Sequence, residues 1–175
     1  FHPTLAHKRY ATSASGGLYY SSDTGCHWQR LGTDMFNPCN LASVCVDHVN
    51  DQVLYVSTGD PNYYSTDYGI YKSTNGGATW APANSGMGSL MAVDLWMHPS
   101  NNQYLVAATN NGIWLSTDGA VTWNVVKTGG AFTHMKQVPN TSVLLAVTAS
   151  SVWKSTNNGA TWNQVNNITF GAGGS

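Results

Sequence analysis

One octapeptide constrains the fold of this chain more than any other feature, because it occurs four times. Each copy begins with Ser, carries Asp or Asn at its third position and ends with Trp. The copies occupy residues 21–28, 73–80, 116–123 and 155–162. Their Trp residues are spaced 52, 43 and 39 residues apart. A period near 40 residues is typical of an architecture built from repeated supersecondary units.

The segments around each octapeptide indicate four short strands per repeat. In the third repeat a strand ends near His98-Pro99, a second covers residues 104–109, a third covers 113–116 and a fourth covers 123–126. No segment of the chain has a helical period. Four strands with this period predict an all-β fold, a β-propeller made of four-stranded antiparallel blades.

The octapeptide itself must join the third and fourth strands of a repeat through a tight turn. We predict such hairpins over residues 18–31, 70–82, 113–126 and 152–165. An Asp or Asn side-chain oxygen can accept backbone N–H bonds inside a turn. We therefore assign a structural role to the third positions, which are Asp23, Asn75, Asp118 and Asn157. We also expect the terminal residues to be largely buried over their turns; these are Trp28, Trp80, Trp123 and Trp162.

The pattern Ser-X-Asp-X-Gly-X-X-Trp resembles the Asp-box, or BNR repeat. Sialidases, sortilin-type receptor domains and xyloglucanase-type glycosidases carry this box. The runs 55–60 and 69–80 are most similar to secreted Bacteroidetes propellers of the kind exported by the type IX system. The resemblance implies about four blades over residues 1–170, followed by a flexible tail at 171–175. It also implies an arc of a larger ring, with a complete four-bladed ring as the alternative.

Charge and hydropathy exclude several classes of partner. The chain has 7 Lys and Arg against 8 acidic residues, so a basic surface for nucleic acid is not expected. No run of 18 apolar residues occurs, and membrane insertion is not expected either. The chain opens at Phe1 without a signal peptide, which we interpret as a processed or partial piece of a longer protein. The resemblance implies that this protein is secreted or held at the cell surface.

The three cysteines leave two interpretations open. One disulfide plus one free thiol is the simplest extracellular arrangement. In the predicted topology Cys26 lies at the opposite end of the repeats from Cys39, so Cys39 with Cys45 is the expected pair. Three reduced thiols are the alternative.

The residue inventory also limits the possible enzymes. All eight acidic residues are Asp, so this chain cannot supply a catalytic Glu. The only arginines are Arg9 and Arg30, so it cannot supply three arginines to an anionic substrate either. A sialidase is therefore disfavoured. A xyloglucanase-like hydrolase needs two carboxylates across a cleft. Asp94 is the catalytic candidate in this chain, and its partner would lie in another part of the protein. The alternative is a non-catalytic propeller that binds glycan, protein or further domains of its own polypeptide.

Any ligand is predicted to bind where the connections between repeats emerge. Ser43, Asp94 and His134 begin the second, third and fourth inner strands at that end. The same end carries the insertion 59–67, whose Tyr63 and Tyr64 rings could stack on sugars. Its oxygen-bearing side chains could hold calcium, and no other cofactor is expected. The candidate calcium ligands are Asp60, Asn62 and Asp67. A solvated loop that pins only its own turn is the alternative.

Overall fold

The protein was analysed as a computed structural model that describes residues 5–13, 17–32, 40–59 and 69–166. Within these ranges the chain is all-β, with 15 strands in four antiparallel sheets and no helix. The described residues accordingly contain no helix with the length and hydropathy needed to cross a membrane.

The first two sheets follow the predicted repeats. Sheet 1 has three described strands, which are β1 (Arg9–Ser13), β2 (Gly17–Ser21) and β3 (Gln29–Leu31). Sheet 2 has four strands, which are β4 (Leu41–Val46), β5 (Leu54–Thr58), β6 (Gly69–Ser73) and β7 (Ala81–Pro82). Within each sheet every strand pairs with its neighbour in sequence, which is a meander.

The other two sheets have the same order. Sheet 3 contains β8 (Ala92–His98), β9 (Asn101–Thr109), β10 (Gly112–Ser116) and β11 (Asn124–Thr128). Sheet 4 contains β12 (Phe132–Gln137), β13 (Leu144–Thr148), β14 (Val152–Ser155) and β15 (Asn163–Gln164). The predicted hairpins around all four octapeptides are therefore confirmed.

The connections fall at two opposite ends of the sheets. At one end each octapeptide bonds to the first turn of its own sheet; for example, Gly76 N donates to Gln52 O at 2.9 Å. At the other end Gly59 N donates to Asn40 O and Asn110 N donates to Met91 O, each at 3.1 Å. We call these the octapeptide end and the loop end.

Apolar side chains fill the spaces between consecutive sheets. Tyr55 and Ile70 of sheet 2 pack against Leu105 and Trp114 of sheet 3. Sheets 2 and 3 therefore each meet the preceding sheet on one face and the following sheet on the other. Alternation along the inner strands predicts that Leu95 and Met135 pack between the sheets, and both belong to these cores. The same alternation predicts that Cys45 and Trp96 point toward the central channel, and this is wrong, because both pack against the cores. A strand buried on both faces needs apolar residues at successive positions. β9 has such a run at residues 105–108, all of them buried.

Side-chain oxygens close each octapeptide turn. In the third copy Ser116 Oγ donates to Asp118 Oδ1 at 2.7 Å, and Asp118 Oδ1 accepts from Thr122 N at 2.9 Å. Ser116 Oγ also accepts from Ala120 N at 2.9 Å. The same three bonds recur in the other copies. Ala120 adopts a positive φ of 65° where the other copies have Gly, so this turn keeps its pattern at some cost in backbone strain.

Burial of the octapeptide Trp residues depends on the preceding sheet. Trp123 and Trp162 are buried, and Trp80 is half-buried. The expectation is wrong for Trp28, which is 45% exposed. Trp123 Nε1 donates to Ala83 O of sheet 2 at 2.8 Å, whereas the described residues contain no sheet before sheet 1. Trp28 Nε1 donates to its own turn, at Gly25 O, as Trp80 and Trp162 do in theirs. Its exposure therefore follows from the lack, among the described residues, of a neighbouring sheet for it to pack against.

Cys45 does not form the expected disulfide. It carries a free thiol in the structure, and its Sγ donates to Leu95 O of the neighbouring sheet at 3.3 Å. The thiol is directed between sheets 2 and 3, so it is not paired with Cys39, which lies outside the described residues. Burial is the main cause that raises the pKa of the Cys45 thiol to about 12, with the nearby charge of Asp94 second. This thiol is therefore protonated and unreactive at neutral pH.

Replacing Asp118 with Asn is expected to leave stability at pH 7 nearly unchanged. Asn75 makes the same turn in the second octapeptide, and its Nδ2 donates to Thr79 Oγ1 at 2.8 Å. At the equivalent place in the third octapeptide, Asp118 Oδ2 accepts from Thr122 Oγ1. Hydrogen bonds from Thr122 and Ser116 hold the pKa of Asp118 at about 2.

The two proteins are expected to differ in how their stability depends on pH. A depressed pKa gives stability that is complete above the unfolded pKa, about 4, and is lost as the pH falls through 2. Because the two proteins are nearly equally stable at pH 7, wild type should become less stable than Asp118→Asn as the pH falls from 4 to 2, as measured by urea denaturation. An Asp118 pKa near 4 by NMR titration would contradict this assignment.

Candidate functional site

A cavity of about 670 Å³ opens at the loop end, where β1 and the inner strands of sheets 2, 3 and 4 meet. Such a volume lies within the range of ligand pockets. Hydroxyl, cationic and carboxylate groups share its wall. The polar side chains that line it are Thr12, Ser43, Asp94, Thr133, His134 and Lys136.

Asp94 is the most tightly held side chain in this wall. It is buried, and its Oδ1 accepts from Ser43 Oγ of sheet 2 and from Leu95 N, both at 3.0 Å. Its Oδ2 accepts from Met135 N of sheet 4 at 3.1 Å. One carboxylate thus connects three consecutive sheets, which fixes the spacing of their inner strands.

The cationic groups lie at the rim of the cavity. Lys136 Nζ is 3.8 Å from Asp94 Oδ2, and its side chain is 84% exposed. His134 precedes it by two residues on β12 and is also exposed. Since alternate residues of a strand face the same side, both side chains follow one edge of the opening. Lys136 can therefore contact a ligand and screen the charge of Asp94 at the same time.

A register shift recurs where the inner strands reach the cavity. Pairing shifts between Leu41 and Ser43, between Ala92 and Asp94, and between Phe132 and His134. A bulge bends its strand and changes the direction of the next side chain. The bulge residues Ala42, Val93 and Thr133 all line the cavity. Sequence reasoning missed them, because a bulge has no periodic signal in one short strand.

The structure brings together part of the predicted site. Ser43, Asp94 and His134 line one cavity, as their equivalent strand positions predict. Five candidates lie outside the described residues, namely Asp60, Asn62, Tyr63, Tyr64 and Asp67. Gly59, which directly precedes them in the chain, lines the cavity. The calcium hypothesis thus stays a prediction, and the described residues contain no cluster of three His, Cys or acidic residues suited to a metal.

The cavity offers binding groups more readily than acid–base groups. Among its described lining residues Asp94 is the only carboxylate, and its oxygens already accept bonds from three donors. A hydrolase of the two-carboxylate type needs a second acidic group some 5–10 Å away. The described lining can donate and accept hydrogen bonds but does not contain that pair.

Comparison with solved structures identifies the architecture. An ancestral GH74 enzyme is similar over 93% of this chain, with a TM-score of 0.73 and 22% identity. The fold is that of a β-propeller. The GH74 enzyme of Niastella koreensis matches 95% of the chain, with a TM-score of 0.69 and 19% identity. YCF48 bound to a D1 peptide matches 94%, with a TM-score of 0.68 and 16% identity.

These comparisons show the propeller fold and not an activity. The chain spans only 23% and 29% of the two GH74 chains and 53% of the YCF48 chain. No family model matches the sequence, and no curated protein is similar to it at a significant level. The four sheets of this propeller are its blades, and the cavity lies on the axis around which they are arranged.

Proposed function

We propose that this chain is part of a secreted or cell-surface Asp-box propeller that binds a glycan or protein ligand without catalysis. The observation that carries the proposal is the state of Asp94. Its carboxylate accepts bonds from donors on three sheets. It therefore acts as a structural tie at the centre of the propeller.

The bonding of Asp94 argues against an acid–base role. A general acid or base must exchange its proton with a group on the substrate at hydrogen-bond distance. Met135 N and Leu95 N are backbone donors fixed by their strands, so they cannot turn away from Asp94 to admit a substrate. Protonation of Asp94 would also weaken the ties between sheets 2, 3 and 4.

The remaining groups of the cavity suit a polar ligand. Thr12, Ser43 and Thr133 supply hydroxyl groups, and Lys136 supplies an exposed charge. Gly59 lines the cavity, and residues 60–68 come directly after it in the chain. Within that segment Tyr63 and Tyr64 could add stacking surfaces. One similar propeller has a peptide bound in its structure, and others are GH74 enzymes. Both peptide and glycan ligands are therefore included in the proposal.

Binding arrays followed by calorimetry test the proposal. A ligand found on a glycan or peptide array should bind about tenfold more weakly to Lys136→Gln, because a charge-assisted hydrogen bond is lost. The double variant Tyr63→Ala/Tyr64→Ala should also bind more weakly. Lys154→Gln is the matched control, since Lys154 is an exposed lysine on the same sheet. Unchanged affinity in both test variants would place the site elsewhere.

A glycoside hydrolase is the second candidate, and the position of Asp94 in a central cavity favours it. In that case the second carboxylate would lie in another part of the protein. The intact protein would release reducing ends from a neutral polysaccharide such as xyloglucan, and Asp94→Asn would abolish this release. Turnover that depends on Asp94 would overturn the non-catalytic proposal.

A further inference from the structure

A second recess lies at the octapeptide end, between sheets 3 and 4, on the opposite side from the cavity. It encloses about 420 Å³. Apart from Pro99, its wall is formed by amide, hydroxyl and imidazole side chains, with no Asp, Lys or Arg among its described lining residues. We call it the amide recess. A polar wall without fixed charge favours a neutral ligand that both donates and accepts hydrogen bonds.

Three groups in the amide recess are available to a ligand. The side-chain amides of Asn140 and Asn158 have no hydrogen-bond partner among the described residues, and both residues line the recess. His98 Nδ1 accepts from Ser100 N at 3.2 Å. This bond makes Nε2 the protonated nitrogen of the neutral ring. Each amide can donate and accept at once, and His98 adds a donor.

The recess is held rigid by bonds that do not involve these three groups. Gln137 Oε1 accepts from Trp96 Nε1 at 3.1 Å, and Gln137 Nε2 donates to Thr141 O at 2.7 Å. Ser142 Oγ donates to Thr156 O at 2.8 Å. The turn of sheet 4 is thereby joined to both the octapeptide and the inner strand of sheet 3. A preformed wall lowers the entropic cost of binding.

Two aromatic rings hold His98, the one aromatic ring among the described residues that line the recess. The rings of Trp96, His98 and Tyr104 contact each other edge to face, with centroids 5.6–6.4 Å apart. All three are half-buried. The His98 ring is thereby held in one orientation beside the amides, and this set of uncharged donors and acceptors matches the hydroxyls of a sugar.

We propose that the amide recess binds a neutral oligosaccharide, with Asn140, Asn158 and the Nε2–H of His98 contacting its hydroxyls. This site is separate from the cavity at the loop end, and it does not depend on the function proposed there.

Calorimetric titration with cellohexaose and maltohexaose tests this inference. The test variants are Asn140→Gly and Asn158→Gly. Both positions have positive φ, 59° and 57°, which glycine adopts without strain. Each variant removes an amide without changing the backbone. At least one of the two sugars should bind wild type, and the double variant should bind it about tenfold or more weakly, as loss of two hydrogen bonds requires.

Two control variants establish whether the loss of affinity is confined to the amide recess. Thr24→Gly makes the same kind of change at the equivalent position of the first octapeptide, where φ is 63°, and should leave the affinity unchanged. Lys154→Gln changes an exposed lysine on the same sheet that lines neither site, and it should also have no effect. The inference is overturned if neither hexasaccharide binds at about 10 mM, or if the double variant binds as wild type does. Weakening by Lys136→Gln alone would assign the sugar to the cavity instead.

Discussion

Replacing Asp94 with Ala is expected to lower the free energy of unfolding by about 3–5 kcal/mol. The substitution removes the acceptor for Ser43 Oγ, Leu95 N and Met135 N in a buried position. Each buried donor left without a partner costs about 1–3 kcal/mol. Because these donors belong to three sheets, the loss should also reduce the cooperativity of unfolding. Urea denaturation followed by Trp fluorescence measures both quantities.

Two control substitutions make this result specific to Asp94. Ser43→Ala removes one of the three donors together with its bond and should cost about 1 kcal/mol. Asp118→Asn removes a charge but keeps the turn, so it should cost almost nothing. If Asp94→Ala cost less than about 1 kcal/mol, the carboxylate would not be a structural tie. The strongest argument for a non-catalytic cavity would then fail.

Replacing Trp123 with Ala is expected to cost about 3–5 kcal/mol, which is typical of a buried aromatic residue. Trp123 is 2% exposed, packs between sheets 2 and 3, and donates to Ala83 O. Its removal leaves a cavity at an interface that other residues cannot fill. The free energy of unfolding and the melting temperature both measure this effect.

Trp28→Ala is the matched control, because Trp28 occupies the same octapeptide position but is 45% exposed. Its replacement should cost about 1 kcal/mol or less, since only the contact with its own turn is lost. Equal losses for the two variants would show that the indole stabilises its turn locally. They would contradict the view that it stabilises the contact between neighbouring sheets.

Local structure followed from the sequence with little ambiguity. Each octapeptide turn depends on bonds among residues at most four positions apart, such as Ser116 with Asp118 and Asp118 with Thr122. The residue types at those positions are therefore sufficient to predict the turn and its hairpin. The repeat period then predicted the four-stranded sheets. The apolar alternation of the inner strands predicted that Leu95 and Met135 pack between them, but it missed Cys45 and Trp96, which pack there as well.

Part of the candidate site could be predicted in the same way. Ser43, Asp94 and His134 begin equivalent strands, so a propeller places them near one another at the loop end. The sequence could not show that Asp94 would bond to both neighbouring sheets, or that a bulge in three inner strands would direct residues toward the cavity. The amide recess was missed altogether, because its groups lie on turns of two different sheets.

The sequence by itself determined the four hairpins, the sheets and the propeller fold, because their signals are local and repeat along the chain. Tertiary structure alone decided the properties that depend on neighbouring sheets. The same Trp position is buried in sheet 3 and exposed in sheet 1, since Trp123 packs against sheet 2 whereas the described residues contain no sheet for Trp28 to pack against. Likewise, Cys45 is a half-buried free thiol whose Sγ donates to Leu95 O, 50 residues away in sequence. Contacts across such separations depend on how the sheets pack, and that packing leaves no local pattern in the sequence.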